Sequence, residues 1–475
     1  MKKILLTALL CIFWSQPVTP SPAALPTVSH YSLQFHFFPK EGRFEADTKM
    51  TVTNKTEQAF SEVPFLLYRL LEVKKVSDNQ GSALCFDQAV VKMEGPEYYR
   101  KVQANLVKVQ LPKPLPPGAT MILNMSYDGW VYGYSEAMAY VRDRIAEPYS
   151  LLRPDALAYP MLAQASRESL HNAYGTFTYD LAVTVPTGYI VACGGSQEKT
   201  LTKEDKTTFV FKSKIPTSRI DIAAAKFKLL KDEAKKLTVY VLPEDEKNGV
   251  AVLNGVNKAV LLYSAMFGEI KDYQGYTVIE IPDGWGAQAG DYYILQEGTP
   301  FKDLKYISRV YHEVGHSWNA KPKPEVQRCR WFDEAFAAYF ESLAIREFEG
   351  EQAFQKDMET TREYFISRAK SDQRNFETPI AEYGKYELGG NSYTKGAWSL
   401  YVLHQLVGEE QFKQIIRAFL SEFRDKPADF KDFQRVAERV SRRNLDKYFN
   451  EWIYGAASSQ LLLDKVSVAD VIKRY

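Results

Sequence analysis

The chain has 475 residues, 45% hydrophobic and 13% aromatic, with 60 Lys and Arg against 59 Asp and Glu. That length has room for two or more domains with their own cores, and the apolar fraction excludes a disordered chain. A formal net charge of +1 gives no electrostatic reason to expect nucleic acid or an anionic membrane as partner.

Lys2-Lys3, the apolar run 4–14 and the small residues of Ser21-Pro22-Ala23 predict a secretory signal peptide over 1–23, hence an exported protein, periplasmic or secreted. The run is too short to span a bilayer, and no apolar run of about 18 residues follows it, so no integral membrane segment is expected. Cleavage removes two Lys and no acid, taking the charge from +1 to −1. Cys85, Cys193 and Cys329 remain, an odd count that leaves at least one free thiol. Cys329 has no partner at C-x-x-C spacing and is expected to be structural. Period-two runs at 31–38, 44–52, 104–111, 121–127, 176–185, 208–212 and 220–227 predict a β-domain over 24–230. Residues 231–236 read as a charged hinge. Beyond it, strands at 238–242 and 276–281 flank a helix at 250–267. Helical periodicity then dominates at 332–348, 352–371, 393–407, 409–423, 431–440 and 445–454. The expected fold class is α+β: an antiparallel β-domain, then a mainly helical domain with a small sheet over 231–475.

Tyr311-His312-Glu313-Val314-Gly315-His316 falls in a helical context, since Leu304, Ile307, Val310 and Tyr311 recur at helical spacing. A helix sets His312 and His316 one turn apart on one face, the H-E-x-x-H arrangement that binds zinc. Two His four apart on an ordinary buried helix is the competing explanation. Catalytic zinc takes three protein ligands and keeps a fourth position for water, and two His with one Glu is a known set. Glu334, in the first turn of the next predicted helix, is the expected third ligand. Glu313 is then the general base that takes a proton from the activated water. The tetrahedral oxyanion needs a further donor. Tyr393, after the Gly-Gly-Asn turn, is the candidate. Glu341, two turns after Glu334, is either a hydrogen-bond partner of a ligating His or an exposed carboxylate at the helix end.

The order His312-Glu313-x-x-His316, then Asp333-Glu334-Ala335-Phe336-Ala337, then Tyr393-Thr394-Lys395-Gly396 resembles the zinc aminopeptidase family typified by aminopeptidase N and leukotriene hydrolase, the gluzincin metallopeptidases. The resemblance implies that His312, His316 and Glu334 hold one zinc ion per chain, with Glu313 as base and Tyr393 as donor to the oxyanion. It also implies an N-terminal β-saddle, matched at Tyr179-Asp180-Leu181-Ala182-Val183-Thr184-Val185-Pro186 and at Leu67-Tyr68-Arg69. A thermolysin-like catalytic lobe would end near Phe449-Asn450-Glu451-Trp452-Ile453-Tyr454-Gly455. Only twenty residues follow, so a short member without the C-terminal helical domain, and hence a more open cleft, is expected. Ser317-Trp318-Asn319-Ala320-Lys321 is similar to the glycyl aminopeptidase relatives.

Three departures stand out. One residue fewer separates the second His from the third ligand than in the family, and the family's Asn-Glu-Gly is Asp333-Glu334-Ala335. More consequential, the family's Gly-x-Met-Glu-Asn strand, whose Glu holds the substrate's free amine, corresponds to Gly286-Ala287-Gln288-Ala289-Gly290, with Ala289 at the Glu position. Gly286, Ala287, Gln288, Ala289 and Asp291 are still expected to line the substrate's path as a strand edge. An ordinary hairpin loop is the alternative. Asp291 or Glu297 are the carboxylates left to meet the amine. The expected function is hydrolysis of peptides by a zinc metallopeptidase, an aminopeptidase first. The alternatives are an endopeptidase or specialised hydrolase of the same fold, or a zinc-holding binding protein without catalysis. Oligomeric state is not legible.

Overall fold

The computed structural model describes residues 24–475 apart from Tyr174, Lys271 and Asp425, and the expected signal peptide at 1–23 lies outside them. Alternation builds the first half. In strand Thr27–Phe38 the side chains of Tyr31, Leu33, Phe35 and Phe37 are buried while Gln34 and His36 face solvent. Arg43–Thr53 repeats the pattern with Phe44, Ala46, Met50 and Val52 inward. Both lie in a seven-stranded sheet ordered Ser196–Lys203, Lys206–Lys212, Thr178–Pro186, Thr27–Phe38, Arg43–Thr53, Thr120–Trp130, Leu71–Asp78. The sheet is not purely antiparallel as expected. Thr178–Pro186 returns through a long crossover and pairs parallel with Thr27–Phe38. Two three-stranded sheets complete this half: Phe60–Tyr68, Gln103–Leu115 and Phe86–Lys92 form one, and Ile190–Cys193, Ile222–Ala225 and Ser150–Leu152 the other.

The second half is organised by a five-stranded sheet. Leu237–Val241, Tyr276–Ile281 and Tyr293–Glu297 run parallel, with Lys228–Asp232 and Gln288–Gly290 as antiparallel edges. Every residue of Tyr276–Ile281 is buried, as a parallel strand covered on both faces requires. The charged stretch expected as a hinge is the hairpin turn between Lys228–Asp232 and Leu237–Val241. Helices Glu246–Phe267, Phe336–Glu349, Glu351–Ser371, Lys395–Val407, Glu409–Phe423, Phe430–Ser441 and Asp446–Trp452 form where periodicity places them. By length and composition alone Pro243–Phe267 could cross a membrane. Asn254, Asn257 and Lys258 interrupt its apolar run. Its Val252, Val256, Ala259 and Tyr263 are packed into the core.

One buried apolar cluster spans strands between Val28 and Ala224, and another spans Leu237 to Val471. A third joins them, with Tyr149, Leu151, Ala223 and Phe227 from one side meeting Ile279, Trp285, Tyr293 and Leu295 from the other. This seam fixes the strand at 288–290 against the first half of the chain.

The central strand of the five also carries a fully buried acid. Glu280 accepts a hydrogen bond from the Leu242 amide at 2.6 Å, and burial, with Asp245 close by, pushes its carboxyl up to about 9. A group whose folded pKa lies above its unfolded value stabilises fully below the unfolded value, and that contribution is lost as pH rises toward 9. Glu280→Gln keeps the acceptor and removes the ionisation. We expect the variant to match the wild type near pH 5 and to exceed it by about 4 kcal/mol near pH 8 in urea unfolding. Parallel pH profiles for the two proteins would contradict this account.

Candidate active site

Two packed helices make the site. Ser308–Gly315 buries Val310, Tyr311 and Val314 and continues into the 3-10 turn His316–Trp318, so His312 and His316 leave one face a turn apart. The second helix, Phe336–Glu349, opens not from an α-helical first turn but from a π turn, Trp331–Ala335. A π turn widens the helix and re-aims side chains, and such turns are common at functional sites. With Trp331 and Phe332 anchored in the core, Glu334 is directed at the histidines.

The Nε2 atoms of His312 and His316 lie 3.3 and 3.5 Å from the same Glu334 Oε2. Tetrahedral ligands about 2.1 Å from zinc stand about 3.4 Å from one another, so this spacing suits that ion. Among the described residues no other group of three or more His, Cys, Asp or Glu side chains converges in this way. Nδ1 of His312 meets Glu341 Oε2 at 3.2 Å, which leaves Nε2 to face the other two donors and resolves the two alternatives for Glu341. Cys329 is buried, its thiol directed at the Ala381 carbonyl, a structural setting as expected.

A cavity of about 530 Å³ opens beside these groups. Gly286, Ala287, Gln288, Ala289 and Asp291 line it together with Glu313, His316, Glu334 and Tyr393. The glycine-rich run is an edge strand, Gln288–Gly290, not a plain hairpin loop. Two expectations about it change. Gln288 Oε1 accepts from Arg153 Nη1 at 3.1 Å and Arg219 Nη2 at 2.7 Å, while Nε2 donates to Asp155, so its side chain is spent inside the wall and only its backbone is left for a substrate. Glu297 accepts the Gly284 and Gly286 amides and holds the turn before the strand. Of the two carboxylates that could stand in for the missing Glu, only Asp291 borders the cavity. Tyr140, Arg219, Asn319, Arg330 and Asp333 also line it, none of them expected as a site residue. Asp333, beside Glu334, and Asn319, within the stretch 317–321, lie in motifs; Tyr140, Arg219 and Arg330 carry no local motif that could have pointed to them.

Residues 296–452 match the peptidase family M1 domain. The chain is similar to human glutamyl aminopeptidase, 22% identical over 81% of this chain and 41% of that protein, and to probable aminopeptidase 2 of Sulfurisphaera tokodaii, 23% identical over 52% and 34%. It thus spans about two-fifths of the human relative's length. A mutant M1 zinc metallopeptidase from Deinococcus radiodurans bound to Tyr-Ser-Ala superposes with a TM-score of 0.63 at 18% identity, covering 90% of this chain and 94% of that one. The aminopeptidase N-like resemblance and the α+β class therefore hold. His312, Glu313, His316, Glu334 and Tyr393 all fall inside the M1 domain, whereas the strand that departs from the family pattern lies before it.

Electrostatics set the working state of the M1 residues. Burial pushes the Glu313 carboxyl up to about 7, with His312 pulling the other way. Burial lowers His316 to about 4, leaving a neutral imidazole able to ligate. Burial would raise Glu334, yet Arg330 and the two imidazoles hold its carboxyl well below the usual range. The Tyr393 ring stacks on His312 with centroids 5.7 Å apart. Burial and the Glu334 charge hold its hydroxyl protonated, hence a donor. Removing the Glu341 brace should loosen His312 without touching the other ligands. We expect Glu341→Ala to weaken zinc binding about 10–100-fold in competition with a chelator, the fold intact by circular dichroism. Unchanged affinity would assign Glu341 no orienting role.

Proposed function

We propose that this chain is an exported zinc metallopeptidase that hydrolyses peptide bonds as an aminopeptidase; export rests on the leader read at 1–23. The observation that carries the hydrolase assignment is the meeting of two imidazole Nε2 atoms and one carboxylate oxygen beside a cavity that also holds Glu313 and Tyr393. His312, His316 and Glu334 would hold zinc, which when bound would supply Lewis acidity at this end of the cavity.

The chain's own residues supply the rest. Glu313, with a carboxyl near 7, takes the proton from the attacking water and is then able to return it to the departing amine. Tyr393, kept protonated, donates to the carbonyl oxygen as negative charge develops there. The edge of Gln288–Gly290 offers backbone groups to an extended peptide. Asp291 is the carboxylate on that wall available to a free amine. The names of the relatives support the aminopeptidase reading. Ala289 favours a second, an endopeptidase of the same fold, because no carboxylate stands where the family's amine-binding Glu does.

Glu313→Gln should retain stoichiometric zinc by elemental analysis and lose at least about 10³-fold in kcat on peptide amides; full activity would reject the proton-transfer role. To separate the two readings, kcat/KM is compared on one peptide series with free and acetylated N-termini. An aminopeptidase should lose at least about tenfold on acetylation, the worth of a charge-assisted contact. Equal rates would favour internal cleavage.

A further inference from the structure

Of the charged side chains lining the cavity, Arg330 is the one most open to solvent. Its side chain is 46% exposed, against 31% for Asp333, 17% for Arg219 and 5% for Glu334. Arg219 is held through Nε and Nη2 by Asp221, Asp155 and Gln288, and among the described residues its Nη1 carries no hydrogen bond either, but the side chain is only 17% exposed. Arg330 is the more open of the two. Its Nε donates to Asp333 at 2.7 Å and its Nη2 to Glu334, but among the described residues Nη1 carries no hydrogen bond. A guanidinium offers five N–H donors in a planar fork, so the free end remains able to pair a carboxylate.

The surroundings are shaped to hold this side chain. Arg330 sits in the left-handed backbone region at φ 58°, which costs a residue with a Cβ about 1 kcal/mol or more and puts strain beside the π turn. Gly389 lies against its stem, where a Cβ would come within 2.9 Å of Arg330 Cγ. Asp333 and Glu334 fix the Nε–Nη2 edge of the fork and with it the whole plane, leaving Nη1 as an unpaired donor on a pre-oriented group.

We propose that Arg330 is a specificity-determining residue that takes a carboxylate of the peptide substrate, so the enzyme prefers peptides with a negative charge near the scissile bond. The proposal rests on the peptidase reading above and names its substrate class. With Asp291 on the edge-strand wall and Arg330 on the wall that carries Glu334, the cavity offers one anionic and one cationic contact. Short peptides bearing both charges would be held in a single register. An acidic side chain and a free C-terminus present the same chemistry to Arg330.

The test is binding without turnover. Zinc-loaded Glu313→Gln protein is titrated calorimetrically with tripeptides carrying Glu or Gln at the first or second position, each with a free or amidated C-terminus. We expect removal of one carboxylate to weaken binding about tenfold. The Gln arms and the amide arms identify whether that carboxylate is a side chain or the chain end. Adding Arg330→Gln should bring charged and uncharged peptides within about twofold of each other when the proteins are compared at equal zinc loading, while Arg330→Lys should keep part of the preference. No preference in the protein with Arg330 intact would overturn the proposal whatever the variants do. Equal weakening for every peptide in Arg330→Gln would also overturn it, leaving Arg330 as a group that only orients Glu334. Failure of the Glu313-intact enzyme to cleave any of these peptides, with the binding preference present, would count against the peptidase reading alone.

Discussion

The site depends on keeping one carboxylate ionised in the protein interior. Glu334 is 4% exposed, and at that depth an isolated carboxylate would take up a proton rather than bear the loss of hydration. The guanidinium of Arg330 and the imidazoles of His312 and His316 outweigh that cost, and they do so only because a π turn places the carboxylate among them. Glu341 then fixes His312 from behind. Remove the charge from Glu334 and the two imidazoles have nothing to converge upon. An unpaired buried charge is also costly, so the cluster stands or falls as a unit.

The cavity wall opposite in sequence is built by a different principle. Gln288–Gly290 is the last strand of a sheet, paired only on its Tyr293–Glu297 side, so its remaining backbone groups are available to an extended chain. Its side chains do not reach out to the substrate. Gln288 is locked to Arg153, Arg219 and Asp155, and residue 289 is a methyl group. In the proposed reading charge recognition falls to Asp291 just beyond the strand and to Arg330 beside Glu334, both of which line the cavity. The strand also lies outside the matched M1 domain.

What the sequence made legible follows the range of the interactions. His312, Glu313 and His316 are one helical turn, and helix geometry alone brings them together. Glu334 follows from the chemistry of the ligand set. Glu341 stayed open because periodicity identifies a face but not what covers it. Arg219 and the wall-facing turn of Gln288 were hidden, since they depend on partners scores of residues away. Arg330 was hidden although Asp333 and Glu334 lie only three and four residues on, because such a pair reads equally well as a solvated helix face. The strands followed the same logic: alternating Thr27–Phe38 was plain. Phe60–Tyr68 was not, because residues 63–68 are buried without alternation and include Pro64. Ser196–Lys203 lacked the contrast to register because almost all of it faces solvent.

The lattice behind the edge strand has a mechanical meaning. Arg153 and Asp143 are both fully buried, joined at 2.7 Å, and Arg153 also grips the Trp285 and Gly286 carbonyls, while Tyr293 reaches across to Asp221. Prising the two halves apart would leave the Arg153–Asp143 pair intact but break the hydrogen bonds from Arg153 to the Trp285 and Gly286 carbonyls and from Tyr293 to Asp221, at about 1–3 kcal/mol for each buried group left unpaired. The cleft is thus a slot of set width rather than a pair of jaws. Guests must thread into it at the gauge it already has, and selection by girth comes before any chemistry.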